Sequence, residues 1–476
     1  MSGLFWSFLE RLGQQTVQLI ITLVMARLLL PEQFGLIAMI AVFLAFSQSF
    51  MESGFGAAII QDQSASYTDE CSVFYFNIFM GFVLAGAMCL CAPFIAAFYN
   101  QEVLVYLTYA MSFNVIINSF GLLPSVLLVK NVDFKTQFKV SLIASIISGI
   151  FGIVMALNSF GVWSLVVLYL SGSFFRTVLV WLIGNWRPSL IFEFESLKKL
   201  FGFGSRLLAT GLIDAIFLNI YFVVIGKIVS PISLGFYFYA HKLQQLPVYN
   251  ISAIVGRVTF PVFSTLQDNQ IALKHTARKA LTLQVLFSFP LLIGLAIMAR
   301  PFVPVVLTDK WIQSVPYLQL LCFAGLLFPI HATNLNIIKA QGRSDLFLRL
   351  EIVHKVLIFL VLAVTYRWGV EAMIYGQIGI SVVISAFSSY FAGKMINYPM
   401  IEQIRDLLPS LIIATLMGGA MLPFSYLLYD HHLTLFLSQL IVGVMTYSLL
   451  SYIFKISSFL AFIDIVKSKI LSKASM

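Results

Sequence analysis

The sequence predicts an all-α, polytopic membrane protein with about 14 transmembrane helices, arranged as two six-helix lobes and a C-terminal helix pair. Three observations carry this prediction: an apolar composition, uncharged runs of membrane-spanning length, and an internal repeat. Of the 476 residues, 60% are hydrophobic and only 10% are charged, against about 25% charged residues in soluble proteins. The mean hydropathy is +0.95. Gaps between the apolar runs are short, which excludes both a nucleic-acid-binding domain as the source of the +9 charge and a large soluble catalytic domain.

The apolar runs, which are separated by Pro, Gly and charged residues, give fourteen candidate spans. Each has about 20 residues, the length that crosses a bilayer. They begin near residues 13, 34, 71, 103, 140, 161, 206, 233, 280, 314, 350, 371, 407 and 433. Residues 140–175 form two spans, because 36 uncharged residues exceed one crossing and residues 158–161 supply a turn. The eleventh span is the least apolar, since Glu351, His354 and Lys355 occupy its first turns.

Basic residues indicate the orientation of the spans, because cytoplasmic segments carry an excess of Lys and Arg. With the N-terminus inside, 20 of the 29 basic residues fall in inner segments and two, Lys310 and Arg367, fall in outer loops. We therefore expect an even number of spans, with the N- and C-termini both cytoplasmic.

An internal repeat divides the chain: residues 26–39 read ARLLLPEQFGLIAM and residues 226–239 read GKIVSPISLGFYFY. In each copy a basic residue ends a helix, a Pro prevents its continuation and a Gly lies in the next span. The matching residues, for which we expect a structural or gating role, are Arg27, Pro31 and Gly35, then Lys227, Pro231 and Gly235.

Six predicted spans separate the two copies, so both copies have the same orientation in the membrane, as in the parallel repeats of transporters. The predicted domains are an N-lobe over residues 1–190 with spans 1–6, a C-lobe over 191–396 with spans 7–12, and an appended segment over 397–476 with spans 13 and 14 and a basic cytoplasmic tail. The repeat predicts a pseudo-twofold axis along the membrane normal.

Polar side chains form stripes on the first two spans of each predicted lobe. Charged groups are costly in a bilayer and usually face a bundle interior or water. At about 100° per residue, the stripes contain Gln14 and Gln18 on span one, Glu52 on span two, Asp214 on span seven, and Lys242, Gln245, Asn250 and Arg257 on span eight. These stripes predict a wet cavity between the lobes.

Ionisable residues within the spans leave a positive balance, with seven basic residues against four acidic ones. Such a cavity would attract an anion, and guanidinium groups suit phosphate oxygens. Arg176 lies in the middle of span six with no acid nearby in sequence, so we expect a buried arginine that contacts substrate. Glu351 and Lys355, one helical turn apart, form either a helix-surface ion pair or part of the cavity mouth. The predicted substrate-binding residues are Arg176, Lys242, Arg257, Gln14, Gln18, Gln245, Asn250 and Lys355.

Five segments carry a resemblance to a known family. They are residues 26–35 (ARLLLPEQFG), 52–61 (ESGFGAAIIQ), 123–134 (LPSVLLVKNVDF), 225–240 (IGKIVSPISLGFYFYA) and 340–343 (AQGR). The chain resembles the polysaccharide exporter family, the Wzx-type flippases of the multidrug/oligosaccharidyl-lipid/polysaccharide superfamily, and among them the colanic-acid-exporter-like lipopolysaccharide biosynthesis proteins. The resemblance covers about residues 5–395; its motifs indicate the family and not the individual glycan.

The resemblance implies a flippase rather than an enzyme. Its substrate would be an undecaprenyl-pyrophosphate-linked oligosaccharide, moved from the cytoplasmic to the periplasmic leaflet of a bacterial inner membrane by alternating access, for lipopolysaccharide O-antigen, capsule or exopolysaccharide. No cofactor is implied; coupling to H⁺ or Na⁺ would use Asp214 and Glu52 as candidate carriers. The implied partners are membrane lipids, the lipid-linked substrate, a polymerase and a chain-length regulator, with a monomeric transporter and no nucleic acid.

Two alternatives stay open at the level of sequence. A multidrug or cation antiporter of the same superfamily would need acidic residues in its cavity, whereas span one offers glutamines and the balance within the spans is positive. A membrane-embedded glycan polymerase or ligase would need a long outer loop with catalytic residues, and the predicted outer loops are short.

Overall fold

The computed structural model describes residues 2–62, 64–427 and 431–464, with the side chains of residues 2–12, 52, 53, 203 and 206 outside this description. Within these residues the regular structure is helical throughout, which confirms the all-α prediction. The long helices of this described chain are α1 (Ser2–Leu28), α2 (Pro31–Gln61), α3 (Tyr67–Tyr99), α4 (Val103–Lys130), α5 (Phe134–Leu157), α6 (Val162–Ile183), α7 (Phe194–Ile228), α8 (Pro231–Thr265), α9 (Gln270–Val306), α10 (Ser314–Ala340), α11 (Ser344–Thr365), α12 (Gly369–Met395), α13 (Met400–Leu427) and α14 (His432–Ile453).

These helices follow the fourteen predicted spans in order, and each contains the residue near which a span was predicted to begin or starts a few residues from it. In the described chain, eleven helices are long and apolar enough to cross a membrane. Helix α11 is not among them, because Arg349, Glu351 and Lys355 interrupt its apolar run. The protein is therefore a polytopic membrane protein.

The chain forms two compact units, Met1–Gly235 and Phe236–Met476. In the first unit, α3 packs on α4, α5 packs on both α1 and α6, α4 packs on α6, and α2 packs on α7. Small residues permit these close approaches, as is usual between membrane helices. A Cβ atom added at Gly81 would lie 2.6 Å from Ser119, and one added at Gly121 would lie 2.6 Å from Thr177.

In the second unit, α9 is the central helix and packs on α10, α13 and α14, while α12 packs on α10 and α11. A continuous cluster of buried apolar side chains fills the space around α9 and extends to α10, α12 and α13. Gly418 on α13 allows α9 to approach, since a Cβ atom there would lie 2.5 Å from Ile297. This unit also carries most of the buried polar contacts described below.

Helix α2 contains a π-helical turn at Glu52–Gly56. Such turns insert one extra residue into an α-helix and occur often at functional sites. The turn packs on α7, where a Cβ atom added at Gly204 would lie 3.0 Å from the carbonyl oxygen of Gly54. The two glycines thus allow backbone contact between α2 and α7.

Acid–base pairs join the predicted inner segments of the first unit. Lys199 Nζ lies 2.7 Å from Asp62 and 3.7 Å from Asp69, and Lys130 Nζ lies 3.5 Å from Glu70. The hydrogen bond from Lys199, with further bonds from Ser64, lowers the pKa of Asp62 to about 2. The same bond raises the pKa of Lys199.

The second unit repeats this arrangement with other residues. Lys274 Nζ lies 2.6 Å from Glu402, and Arg278 pairs with Asp406. The side chain of Tyr398 donates to the second Asp406 oxygen at 2.7 Å. In both units these ion pairs join helix ends that the sequence assigns to the cytoplasmic side of the membrane. This agrees with the prediction that successive helices alternate in direction.

Candidate functional site

The two copies of the sequence repeat pack against each other within the first unit. A Cβ atom added at Gly35 would overlap the carbonyl group of Pro231, and one added at Gly235 would overlap the carbonyl group of Pro31. Each glycine therefore admits the first turn of the other copy's helix. The contact is reciprocal, as expected for two elements related by an approximate twofold axis.

Both copies start a helix with Pro at its first position, where the missing N–H group costs nothing. They complete the helix start with opposite halves of a capping box. In the first copy, Leu30 N–H donates to the Gln33 side chain at 3.0 Å. In the second copy, Ser233 N–H donates to the Ser230 hydroxyl at 3.1 Å. The repeat thus preserves backbone geometry while the capping residues differ.

The basic residues of the repeat, Arg27 and Lys227, are both exposed. Lys227 Nζ donates to the backbone carbonyl of Phe98 and lies 4.9 Å from the centre of its ring. Phe98 is in the last turn of α3, where carbonyl groups lack helical partners and favour a cation. This contact is consistent with a structural anchor; a gating role for these residues stays a prediction.

The stripe on α8 lies in the second unit and is only partly exposed. Lys242, Gln245 and Asn250 are half-buried, and Arg257 is exposed. Gln245 Nε2 lies 3.1 Å from the Nε2 atom of His241, and Asn250 donates to the carbonyl of Leu246 at 2.7 Å. Two of the predicted substrate-binding amides thus have a hydrogen-bond partner one turn away on their own helix.

The predicted substrate-binding and coupling residues of the first unit are distributed over four helices, α1, α2, α6 and α7. Gln14 on α1 is half-buried, whereas Gln18 on α1, Asp214 on α7 and Arg176 on α6 are exposed. The expectation that Arg176 is buried was wrong, because its side chain is exposed on α6. The backbone of Glu52 belongs to the π-helical turn of α2, but its side chain lies outside the described residues.

A buried polar network in the second unit was missed from the sequence. Gln284 on α9, only 1% exposed, donates to the Ser252 hydroxyl at 2.8 Å and accepts from Thr333 at 2.7 Å. Asn334, fully buried, donates to Ser389 and to the side chain of Gln403, both at 3.0 Å. These bonds connect α8, α9, α10, α12 and α13. The sequence signal that could have indicated this network is the presence of polar residues inside otherwise apolar, uncharged runs.

A second group in this unit combines Lys355, which the sequence singled out, with two histidines. His331 on α10 faces Glu351 and His354 on α11, and one ligand atom from each lies within 4.8 Å of the others. The rings of His331 and His354 are 5.7 Å apart. Lys355 Nζ lies 3.8 Å from Glu351, so the sequence-predicted pair is formed.

Comparison with known proteins identifies the family to which the chain belongs. Residues 24–316, more than half of the chain, match the family model described as "Polysaccharide biosynthesis protein". The chain belongs to this polysaccharide biosynthesis family. Members of this export family are transporters rather than enzymes, which removes the polymerase or ligase alternative.

Two curated relatives of the family are similar over most of the chain. The teichuronic acid biosynthesis protein TuaB of Bacillus subtilis (strain 168) is 27% identical over 351 residues, covering 73% of this chain and 72% of the relative. The lipopolysaccharide biosynthesis protein WzxC of Escherichia coli (strain K12) is 27% identical over 401 residues, covering 82% of this chain and 80% of the relative. The predicted resemblance is thereby confirmed.

Solved structures show the same fold. The lipid II flippase MurJ in an inward closed conformation matches with a TM-score of 0.73 and 15% identity, covering 95% of this chain and 98% of that chain. An inward-facing multidrug resistance MATE family transporter matches with a TM-score of 0.64 and 13% identity, covering 80% of this chain and 95% of that chain. This member of the polysaccharide biosynthesis family therefore has a MurJ/MATE-like fold.

Proposed function

We propose that this family member is a flippase for an undecaprenyl-pyrophosphate-linked oligosaccharide, which it moves from the cytoplasmic to the periplasmic leaflet of a bacterial inner membrane by alternating access. The product would feed assembly of a surface polysaccharide. The names of the curated relatives, which refer to teichuronic acid and lipopolysaccharide biosynthesis, support this class of substrate. The partners would be the lipid-linked substrate and proteins that polymerise the translocated units.

One observation carries the proposal: basic side chains lie along a single membrane helix. Lys242 and Arg257 on α8 are separated by about four helical turns, and neither is at a helix end. A lysine and an arginine inside a membrane helix are costly unless they contact water, an acid or an anionic ligand. The pyrophosphate of a lipid-linked glycan is such a ligand, and it favours guanidinium groups.

The exposed position of Arg176 supports the same chemistry in the first unit. An exposed guanidinium is accessible to a ligand without rearrangement of the helix that carries it. We propose that Arg176, Lys242 and Arg257 contact the pyrophosphate, and that Gln14, Gln18, Gln245, Asn250 and Lys355 contact polar groups of the substrate. Asp214 and Glu52 are the proposed carriers of a coupling H⁺ or Na⁺.

Replacement of the arginines tests the proposal. In a host that lacks the chromosomal gene, Arg257→Ala and Arg176→Ala should each lower surface polysaccharide by about tenfold or more, because a charge-assisted hydrogen bond contributes roughly 1.5–3 kcal/mol. The lipid-linked oligosaccharide should accumulate in the inner membrane, measured by mass spectrometry of the lipid extract. Lysine at either position should be poorly tolerated if the contact is bidentate.

Arg405→Ala is the matched control, because Arg405 is exposed at the start of α13 and belongs to the predicted inner segments rather than to a span. Membrane levels of each variant are compared by immunoblot. Normal export with Arg176, Lys242 and Arg257 all replaced by Ala would refute the anion-binding proposal. Drug or cation efflux by the wild-type protein in the same cells, without an effect on polysaccharide, would support an antiporter instead.

A further inference from the structure

His331, Glu351 and His354 form a compact group of potential metal ligands in the second unit, apart from the α8 stripe. His331 projects from α10, and Glu351 and His354 project from α11. The latter two are three residues apart, so they lie on one face of the helix. A Glu-x-x-His pair of this spacing, facing ligands from a neighbouring helix, is a known way to bind metals in helical bundles.

His331 provides an independent indication of a ligand. Its side chain is only 7% exposed. Within the described part of the chain, its Nδ1 atom is buried and has no hydrogen-bond partner. A buried nitrogen without a partner is uncommon, because it loses its bond to water and gains none in return. A metal ion bound through Nδ1 would supply the missing partner.

From this arrangement we propose that His331, Glu351 and His354 bind a divalent transition metal of the Zn²⁺ class, which joins α10 to α11. Two imidazoles and one carboxylate are the protein ligands of many zinc sites, in which water or a further group occupies the fourth position. Imidazole suits zinc, nickel and copper, whereas Mg²⁺ and Ca²⁺ prefer oxygen ligands. The site is therefore distinct from the H⁺ or Na⁺ coupling residues named above.

The three ligand atoms must move closer together to bind one zinc ion. The three ligand atoms lie within 4.8 Å of one another, whereas ligands in a tetrahedral zinc site are separated by about 3.3–3.6 Å, given bond lengths of about 2.0–2.2 Å. A closure of about 1 Å is within reach of side-chain rotation. The rings of His331 and His354 are inclined at 75°, so their nitrogens can converge on one point without stacking.

Lys355 is the internal competitor for this site. Its Nζ atom lies 3.8 Å from Glu351. The Glu351 carboxylate would therefore interact with both the lysine and the metal. The lysine charge also repels a dication at short range. Removing the charge while retaining a polar side chain, as in Lys355→Gln, should therefore strengthen metal binding, an effect that a merely structural ion pair would not produce.

Metal binding is measured on the full chain, purified in detergent with its affinity tag removed and its metals removed by chelation. The probes are Zn²⁺ by calorimetry and Co²⁺ by its visible absorption, which is intense only in tetrahedral sites. We expect one equivalent of Zn²⁺ and a Co²⁺ band that Zn²⁺ abolishes. His331→Ala, Glu351→Gln and His354→Ala should each weaken binding by about tenfold or more, and Lys355→Gln should tighten it.

His275→Ala is the matched control, since His275 is an exposed histidine on α9 outside the group. It should bind Zn²⁺ as the wild type does. Zn²⁺ should also raise the melting temperature of the wild type and the control more than that of the three ligand variants. An absent Co²⁺ band in the wild type, or unchanged Zn²⁺ affinity in Glu351→Gln, would overturn the proposal. Because neither measurement uses a glycan, the result is independent of the proposed export function.

Discussion

Gly35 and Gly235 each lie against the first turn of the other's helix. A Cβ atom at Gly35 would lie 2.7 Å from the carbonyl carbon of Pro231, and one at Gly235 would lie 2.6 Å from that of Pro31. The two helix starts can approach this closely because neither glycine has a side chain. The repeat that the sequence displays at an offset of 200 positions therefore corresponds to a physical contact between its two copies.

Alanine at either glycine should destabilise the fold. The added methyl group would meet a backbone carbonyl, which cannot rotate away as a side chain can, so we expect a loss of about 1–3 kcal/mol from overpacking. The loss is measured as a lower melting temperature of the purified protein in detergent. Gly86→Ala is the control, because nothing lies within 4 Å of a Cβ atom there. Equal melting temperatures for Gly35→Ala and Gly86→Ala would contradict the contact.

The helices were predictable from the sequence because the length of an apolar run and the Pro or Gly residues that end it are local properties. The repeat residues were also recognisable, since they recur at a fixed offset. The surroundings of Arg176 were not, because the sequence does not state which face of α6 packs on α4 and α5. Likewise, the bonds of Asn334 to Ser389 and Gln403 join residues far apart in the chain, and only the tertiary packing identifies them as partners.

Asn334 should be among the most sensitive polar residues of the second unit. Asn334→Ala leaves the Ser389 hydroxyl and the Gln403 side chain without this partner in a dry interior, at a cost of about 1–3 kcal/mol. Thermal unfolding of the purified variant measures the loss. Asn158→Ala provides the comparison, since the exposed Asn158 amide donates to a carbonyl of its own helix, at 2.8 Å. If both substitutions have the same small effect, the network does not stabilise the unit.

The ion pair of Asp62 and Lys199 should give a pH-dependent contribution to stability. The folded-state pKa of Asp62, about 2, lies below its ordinary value of 3.8. The pair therefore stabilises the fold above the ordinary value, and the effect is lost as pH falls through about 2. The pKa of Lys199 is raised in the folded state, so the lysine contributes to stability up to alkaline pH. This contribution is lost as pH rises through the folded-state pKa of Lys199.

Lys199→Met should lower the melting temperature by a constant amount between about pH 5 and 8, and the difference from wild type should shrink toward pH 2. The magnitude is modest because Lys199 is exposed and Asp62 is partly exposed to solvent, and it should decrease further at high salt. Lys198→Met replaces an exposed neighbour on the same helix. A pH profile for Lys198→Met that equals that of Lys199→Met would rule out a specific role for the pair.

The basic residues predict an orientation of the protein in the membrane, which can be tested on the full chain. Helix α9 has 37 residues, and a helix of this length extends about 55 Å, more than a bilayer. The segments that flank it, containing Asp268 and Lys310, should therefore lie on opposite sides of the membrane. The excess of Lys and Arg in the predicted inner segments predicts that Asp268 lies on the cytoplasmic side.

Single cysteines introduced as Asp268→Cys and Lys310→Cys report these positions when the native residues Cys71, Cys89, Cys91 and Cys322 are replaced by alanine. A membrane-impermeant maleimide should label position 310 in intact spheroplasts and position 268 only after lysis, with the cysteine-free chain as the unlabelled control. Labelling in the reverse order would place both termini outside and contradict the charge argument. Labelling of both positions in intact cells would instead mean that α9 does not cross the membrane, because only then do its two ends face the same solution.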